Sequence, residues 1–75
     1  MDQVTEIDAR GLRCPLPVLR AQKLLAGLAP GALLRIRTDD PMALIDMPHF
    51  CAQAGHDLLS QEEDGAGHLF EIRRG

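Results

Sequence analysis

Apolar positions recur along this chain with two different periods, and each switch between them marks an element. The β-branched residues of Val4–Asp8 predict a short strand, and Ala9–Arg13 a loop behind it. From Pro15 onward Val18, Ala21, Leu25 and Leu28 return every three or four residues, with Arg20 and Lys23 on the wet side between them. That spacing is an amphipathic helix, closed by Gly27 and followed by a Pro30-Gly31 turn. Leu33–Thr38 changes to period two, Leu34 and Ile36 facing inward against Arg35 and Arg37 outward, the mark of a strand with one buried face.

Asp39-Asp40-Pro41 signals a second helix entry, an acidic cap followed by proline at the first helical position. Pro48 interrupts the helical pattern soon after, because a proline inside a helix forfeits a hydrogen bond and crowds the preceding turn. The expectation is a short turn over residues 41–45 and then a helix capped by Asp46, with Met47, Phe50, Cys51 and Ala54 on one apolar stripe and Gly55 at its end. Asp57–Glu62 and Leu69–Arg73 read as strands joined through Glu63-Asp64-Gly65-Ala66-Gly67 into a hairpin.

The order β-α-β-α-β-β predicts an α/β fold: a two-layer sandwich with a mixed four-stranded sheet and both helices on one face. Arg35, Arg37, Glu71 and Arg73 then fall on the open face, a solvated surface whose mixed charges could equally meet a partner. All 75 residues are expected to form a single domain, 1–75, with a small core.

Composition narrows the functional classes. The net charge is −3 and there are two aromatic residues, both phenylalanine, which argues against stable binding of nucleic acid by basic grooves or stacking platforms. No stretch approaches the ~20 apolar residues of a membrane span, and no signal-peptide pattern opens the chain, so the expected location is cytoplasmic, with no membrane partner. Two cysteines are then free thiols rather than a disulfide framework. Their spacing fits no zinc motif, and His49, His56 and His68 do not complete one, so neither metal nor cofactor is expected.

The candidate chemistry lies in Cys14-Pro15-Leu16-Pro17. Pro15 suits the first helical position, which would put Cys14 at the N-cap, with the amides of Leu16 and Val18 directed at its sulfur and Pro17 contributing no donor. The helix dipole and the nearby Arg10, Arg13 and Arg20 would favour the thiolate, so the expected shift of its pKa is downward. Cys51, on the apolar stripe, reads as core. A thioredoxin-like exchange needs a second cysteine where Pro17 stands, and a hydrolase needs a base and an oxyanion site that so short a chain has little room to build. What remains is a lone accessible thiolate suited to carrying a group, such as persulfide sulfur, between proteins.

With its Cys14-Pro15-Leu16-Pro17 motif at a helix start, the chain resembles the TusA/SirA family of small sulfur carriers. The resemblance extends through Asp8–Arg13, Asp39-Asp40-Pro41, the run Asp46–Cys51, Gly55-His56 and Ile72–Gly75. It implies that Cys14 receives sulfur as a persulfide from a cysteine desulfurase or rhodanese-like donor and passes it to an acceptor protein. Such a protein is a carrier rather than a self-contained enzyme. The destinations implied are 2-thiouridine formation in tRNA, sulfur oxidation or molybdenum-cofactor supply. Leu16 is apolar where similar carriers of the tRNA-thiolating branch can have an acidic residue, which bears on partner choice.

Arg10, Arg13, Arg20 and Asp40 are the candidate docking residues, by proximity to Cys14 or to the second helix entry. Two other readings stand beside the carrier: a non-catalytic adaptor in which Cys14 only caps the helix, and an RNA-binding module, which the acidic balance disfavours.

Overall fold

The structure, a computed structural model, describes residues 4–75. Its elements are β1 (Val4–Asp8), α1 (Leu16–Ala26), β2 (Leu33–Thr38), α2 (Ala43–Ala54), β3 (Asp57–Asp64) and β4 (Gly67–Arg73). The sheet runs β1-β2-β4-β3, with β1 parallel to β2 and β4 antiparallel to both its neighbours. β2 and β3 therefore point the same way with β4 between them, and each helix crosses between strands of one direction. This is the mixed four-stranded α/β arrangement that the periodicity predicts.

Alternation along the strands sorts the two faces. Leu34, Ile36, Phe70 and Ile72 are wholly buried and meet Ala21 and Leu25 of α1 and Ala43, Met47 and Cys51 of α2. Each large side chain in that layer contributes about 1.5–3 kcal/mol of burial. The opposite face carries charge, as expected. Arg35 reaches Glu6 on β1 at 3.2 Å and lies 3.4 Å from Glu71 on β4, while Arg37 pairs with Asp64 at 2.8 Å and Arg73 with Asp57 at 2.9 Å. Every one of these contacts ties neighbouring or next-neighbouring strands together.

Three local expectations are corrected. The N-cap of α1 is Pro15 rather than Cys14, so the helix begins at Leu16 with Pro17 in its first turn. Both prolines satisfy the first-turn rule, because neither position needs an amide hydrogen. α2 begins at Ala43 and Pro48 lies inside it, so Asp46 is a helical residue and not a cap. The N-cap is Met42, and Asp40 shapes the turn that leads into it: its carboxylate accepts from the Met42 amide at 3.1 Å and its carbonyl from Ala43 at 2.9 Å, with Pro41 between them. Pro48 is tolerated because the bond it forfeits would go to the carbonyl of Leu44, in a first turn that is partly exposed.

The hairpin is tighter than expected, since Asp64 pairs with Gly67 and only Gly65-Ala66 form the loop. Gly65 has φ 64° at the first loop position, the requirement of a II′-type connection, and among the described residues positive φ is confined to glycines. The C-terminus is stitched down at several points. Arg74 exchanges backbone bonds with Gly31 and Ala32, its Nε donates to the Leu25 carbonyl at 2.8 Å, and the Gly75 amide donates to His56 Nδ1 at 3.0 Å. Arg74 thus supplies one C-terminal carbonyl of α1 with a cationic donor.

Candidate functional site

Cys14 stands exposed where the β1–α1 loop meets the N-terminal ends of both helices. The loop is held against the start of α2 by carboxylates. The Cys14 amide donates to Asp40 Oδ2 at 2.6 Å, and Asp39 Oδ1 accepts from the Gly11 amide at 2.9 Å and from Arg13 at 3.1 Å. These amide bonds, first among their causes, hold the carboxyls of Asp39 and Asp40 below the usual range. Gly11 bends the loop with φ 88°, a conformation that favours glycine. The Cys14–Pro15 peptide bond is cis.

The sulfur itself does not face the amides of α1. The Leu16 amide is taken by the Arg13 carbonyl at 2.8 Å, and the Cys14 thiol donates to Asp46 Oδ2 at 3.0 Å. That hydrogen bond, followed by partial desolvation and the charges of Asp46 and Asp40, pushes the thiol pKa upward. The downward shift expected from the sequence is therefore reversed. Its two premises fail for physical reasons: the cap lies one residue later, and Arg10 and Arg13 are engaged elsewhere while Arg20 lies away from the thiol. Arg10 forms a two-point pair with Asp8, both contacts at 2.9 Å, which holds the Asp8 carboxyl at about 2. Arg13 is bound to Asp39.

A cleft of about 300 Å³ opens beside the thiol, walled by Pro15 and Val18 from the α1 side and by Asp46, His49, Phe50 and Gln53 from α2. Most of that lining is apolar, a surface for an inserted side chain or peptide segment. Residues 46, 49, 50 and 53 are spaced three, four and seven apart, so they form a second stripe beside the buried one of Ala43, Met47 and Cys51. The helical spacing was visible in the sequence, but nothing local said that the stripe would meet Cys14.

Of the other candidates, Pro15, Pro17 and Val18 support the thiol loop, with Pro17 buried. Leu16 is turned to solvent, about half exposed, as is Leu19 one turn on. Arg20 lies away from the thiol, with Lys23 along the outer flank of α1, where Leu12, Leu16 and Leu19 form a shallow apolar groove. Asp40 is buried as the joint between the two helix entries. Cys51 is 2% exposed, and burial raises its thiol to about 11, as a core residue requires.

Comparison with known proteins identifies the family. The "Sulfur carrier protein TusA" of Pseudomonas paraeruginosa is 41% identical over 68 residues, covering 91% of this chain and 86% of that one. The protein of the same name from Pseudomonas aeruginosa matches equally. Among solved structures, the SirA-like protein from Desulfitobacterium hafniense superposes with a TM-score of 0.83 at 28% identity, covering 97% of this chain and 99% of that one. The family described as Sulfurtransferase TusA matches residues 5–74, nearly the whole sequence, and with the fold and these relatives in agreement, the chain belongs to the TusA family.

Proposed function

We propose that this protein is a sulfur carrier whose only sulfur-bearing group is Cys14. One observation carries the reading: a single exposed thiol sits on the rim of an open cleft while the other cysteine is sealed in the core. The names of the relatives support the same role. In the transfer, the Cys14 thiolate attacks the outer sulfur of a donor cysteine persulfide, R–S–SH. A new S–S bond forms at Cys14, the donor's S–S bond breaks, and the donor cysteine leaves with the electron pair and takes up the proton that Cys14 released. No net oxidation occurs. An acceptor cysteine then repeats the exchange on the loaded carrier.

The donor is a cysteine desulfurase or rhodanese-like protein, and the work is done in the cytoplasm by one small domain that holds no cofactor. The docking strip is the outer flank of α1, where exposed Leu16 and Leu19 adjoin Arg20 and Lys23. Arg20 has no carboxylate partner among the described residues, unlike Arg10 and Arg13, so it has a charge to offer an acidic partner. The destination is 2-thiouridine formation in tRNA, or else sulfur oxidation or molybdenum-cofactor supply, according to which acceptor docks.

The test is intact-mass measurement after incubation with a cysteine desulfurase and cysteine. The wild-type chain gains one sulfur, about 32 Da, lost again on reduction. Cys14→Ser gains nothing, and equal loading of that variant overturns the assignment. Trapping mixed disulfides of Cys14 with acceptor proteins then distinguishes the three destinations.

A further inference from the structure

The thiol assigned to sulfur transfer is surrounded by acids. Asp46 accepts a hydrogen bond from it at 3.0 Å, Asp40 holds its amide, and Asp39 is paired with Arg13. Of the other charged or titratable neighbours, Arg10 is paired with Asp8, and the exposed His49 lines the same cleft about one turn along α2 from Asp46 without a bond to the sulfur. An idle carrier built this way has a neutral, tethered thiol, whereas the attack on a persulfide needs a thiolate. Something has to relieve the contact at the moment of transfer.

We propose that Asp46 is a positioning residue that keeps unloaded Cys14 protonated and oriented, and that a sulfur donor releases it by setting a cationic side chain on the Asp46 carboxylate. The inference rests on the sulfur-carrier reading and adds how that site is regulated. Asp46 makes no ion pair among the described residues, and it lines a cleft open to solvent, so its carboxylate is available to an incoming cation. A cation there cancels the potential that favours the neutral thiol, and the proton that Cys14 releases as its sulfur attacks is taken up by the departing donor cysteine. Donors lacking that cation, including small polysulfides, meet the protonated form.

The experiment uses the full chain with Asp46→Asn and the conservative Asp46→Glu. Iodoacetamide alkylation at pH 7.5, located on Cys14 by peptide mass, is expected to quicken about two- to fivefold in Asp46→Asn, the range that an exposed charge contact supports, and to stay slow in Asp46→Glu. Loading from inorganic tetrasulfide should quicken by a similar factor, while loading from a cysteine desulfurase with cysteine should slow, since the donor's cation loses its counterpart. Unchanged or slower alkylation of Asp46→Asn overturns the proposal, and so does faster loading from the desulfurase. If the variants do not fold, the wild-type chain decides: its alkylation midpoint must lie above that of the urea-unfolded chain, and a midpoint at or below it overturns the proposal. A wild-type chain that takes sulfur from neither source sinks the sulfur-carrier reading instead, while the alkylation result still judges Asp46.

Discussion

Replacing Cys51 by serine separates the two cysteines by their surroundings. The residue is 2% exposed within the layer formed by Leu25, Met47, Phe70 and Ile72, so a hydroxyl there trades an apolar atom for a polar one out of reach of water. Such burial costs about 1–3 kcal/mol. The low end applies if the serine donates back to the carbonyl of Met47, one turn earlier in α2. For a 75-residue chain the unfolding entropy is about 0.16 kcal/mol/K, so each kcal/mol moves the melting temperature by about 6 °C. Cys51→Ser is therefore expected to melt about 6–18 °C below wild type, yet to load sulfur normally at temperatures where it is folded. Circular dichroism melts and intact-mass loading are the assays. A second signature concerns pH: a thiol raised to about 11 by burial stabilises the fold below the ordinary thiol range and loses that contribution as the pH climbs from about 9 to 11. Cys51→Ala lacks this alkaline loss. A serine variant that melts with wild type, or that is folded but cannot be loaded, would refute the assignment of Cys51 to the core.

Further expectations concern the frame around the site. A methyl group added at Gly67 would overlap the Thr38 carbonyl, a backbone atom that cannot swing aside, so Gly67→Ala should cost about 1–3 kcal/mol and lower the melting temperature by about 6–18 °C; a melting temperature within about 2 °C of wild type would contradict the close packing. Asp8, Asp39 and Asp40 all have lowered pKa values in the fold, so they stabilise it above the ordinary carboxylate range and lose that contribution as pH falls below that range, Asp8 down to about 2. Melts across that window should fall, and less steeply in Asp8→Asn; a flat profile speaks against the pairings. Arg35→Ala should cost at most about 1 kcal/mol despite its two acidic neighbours, with the difference shrinking in about 1 M salt, and a larger salt-independent loss would mean that the open face contributes more than exposed pairs do.

The sheet was legible because its information is local. Leu34, Ile36, Arg35 and Arg37 state the two faces of β2 by alternation alone, and β1 and β2 begin and end where their patterns do. Helix starts were less legible. Pro15 and Pro17 each satisfy the rule for an amide-free first turn, so the rule cannot choose between them, and the choice decides whether the sulfur meets backbone amides. Pro48 misled in the same manner: its cost depends on where in the helix it falls, and Asp40 sets that start from outside. The largest error, the acidity of Cys14, came from a contact across 32 residues of sequence. No reading of the residues next to Cys14 could find Asp46.

The stitched tail has a practical meaning for anyone joining this protein to something else. Gly75 is bonded to His56, just past the C-terminal end of α2, whereas Cys14 is bonded to Asp46 in the first turn of that helix, about 12 Å of helical rise before its end. The molecule has a working pole and an anchoring pole. A label or fusion attached behind Gly75 therefore departs from the anchoring pole and leaves the approach to the sulfur unobstructed.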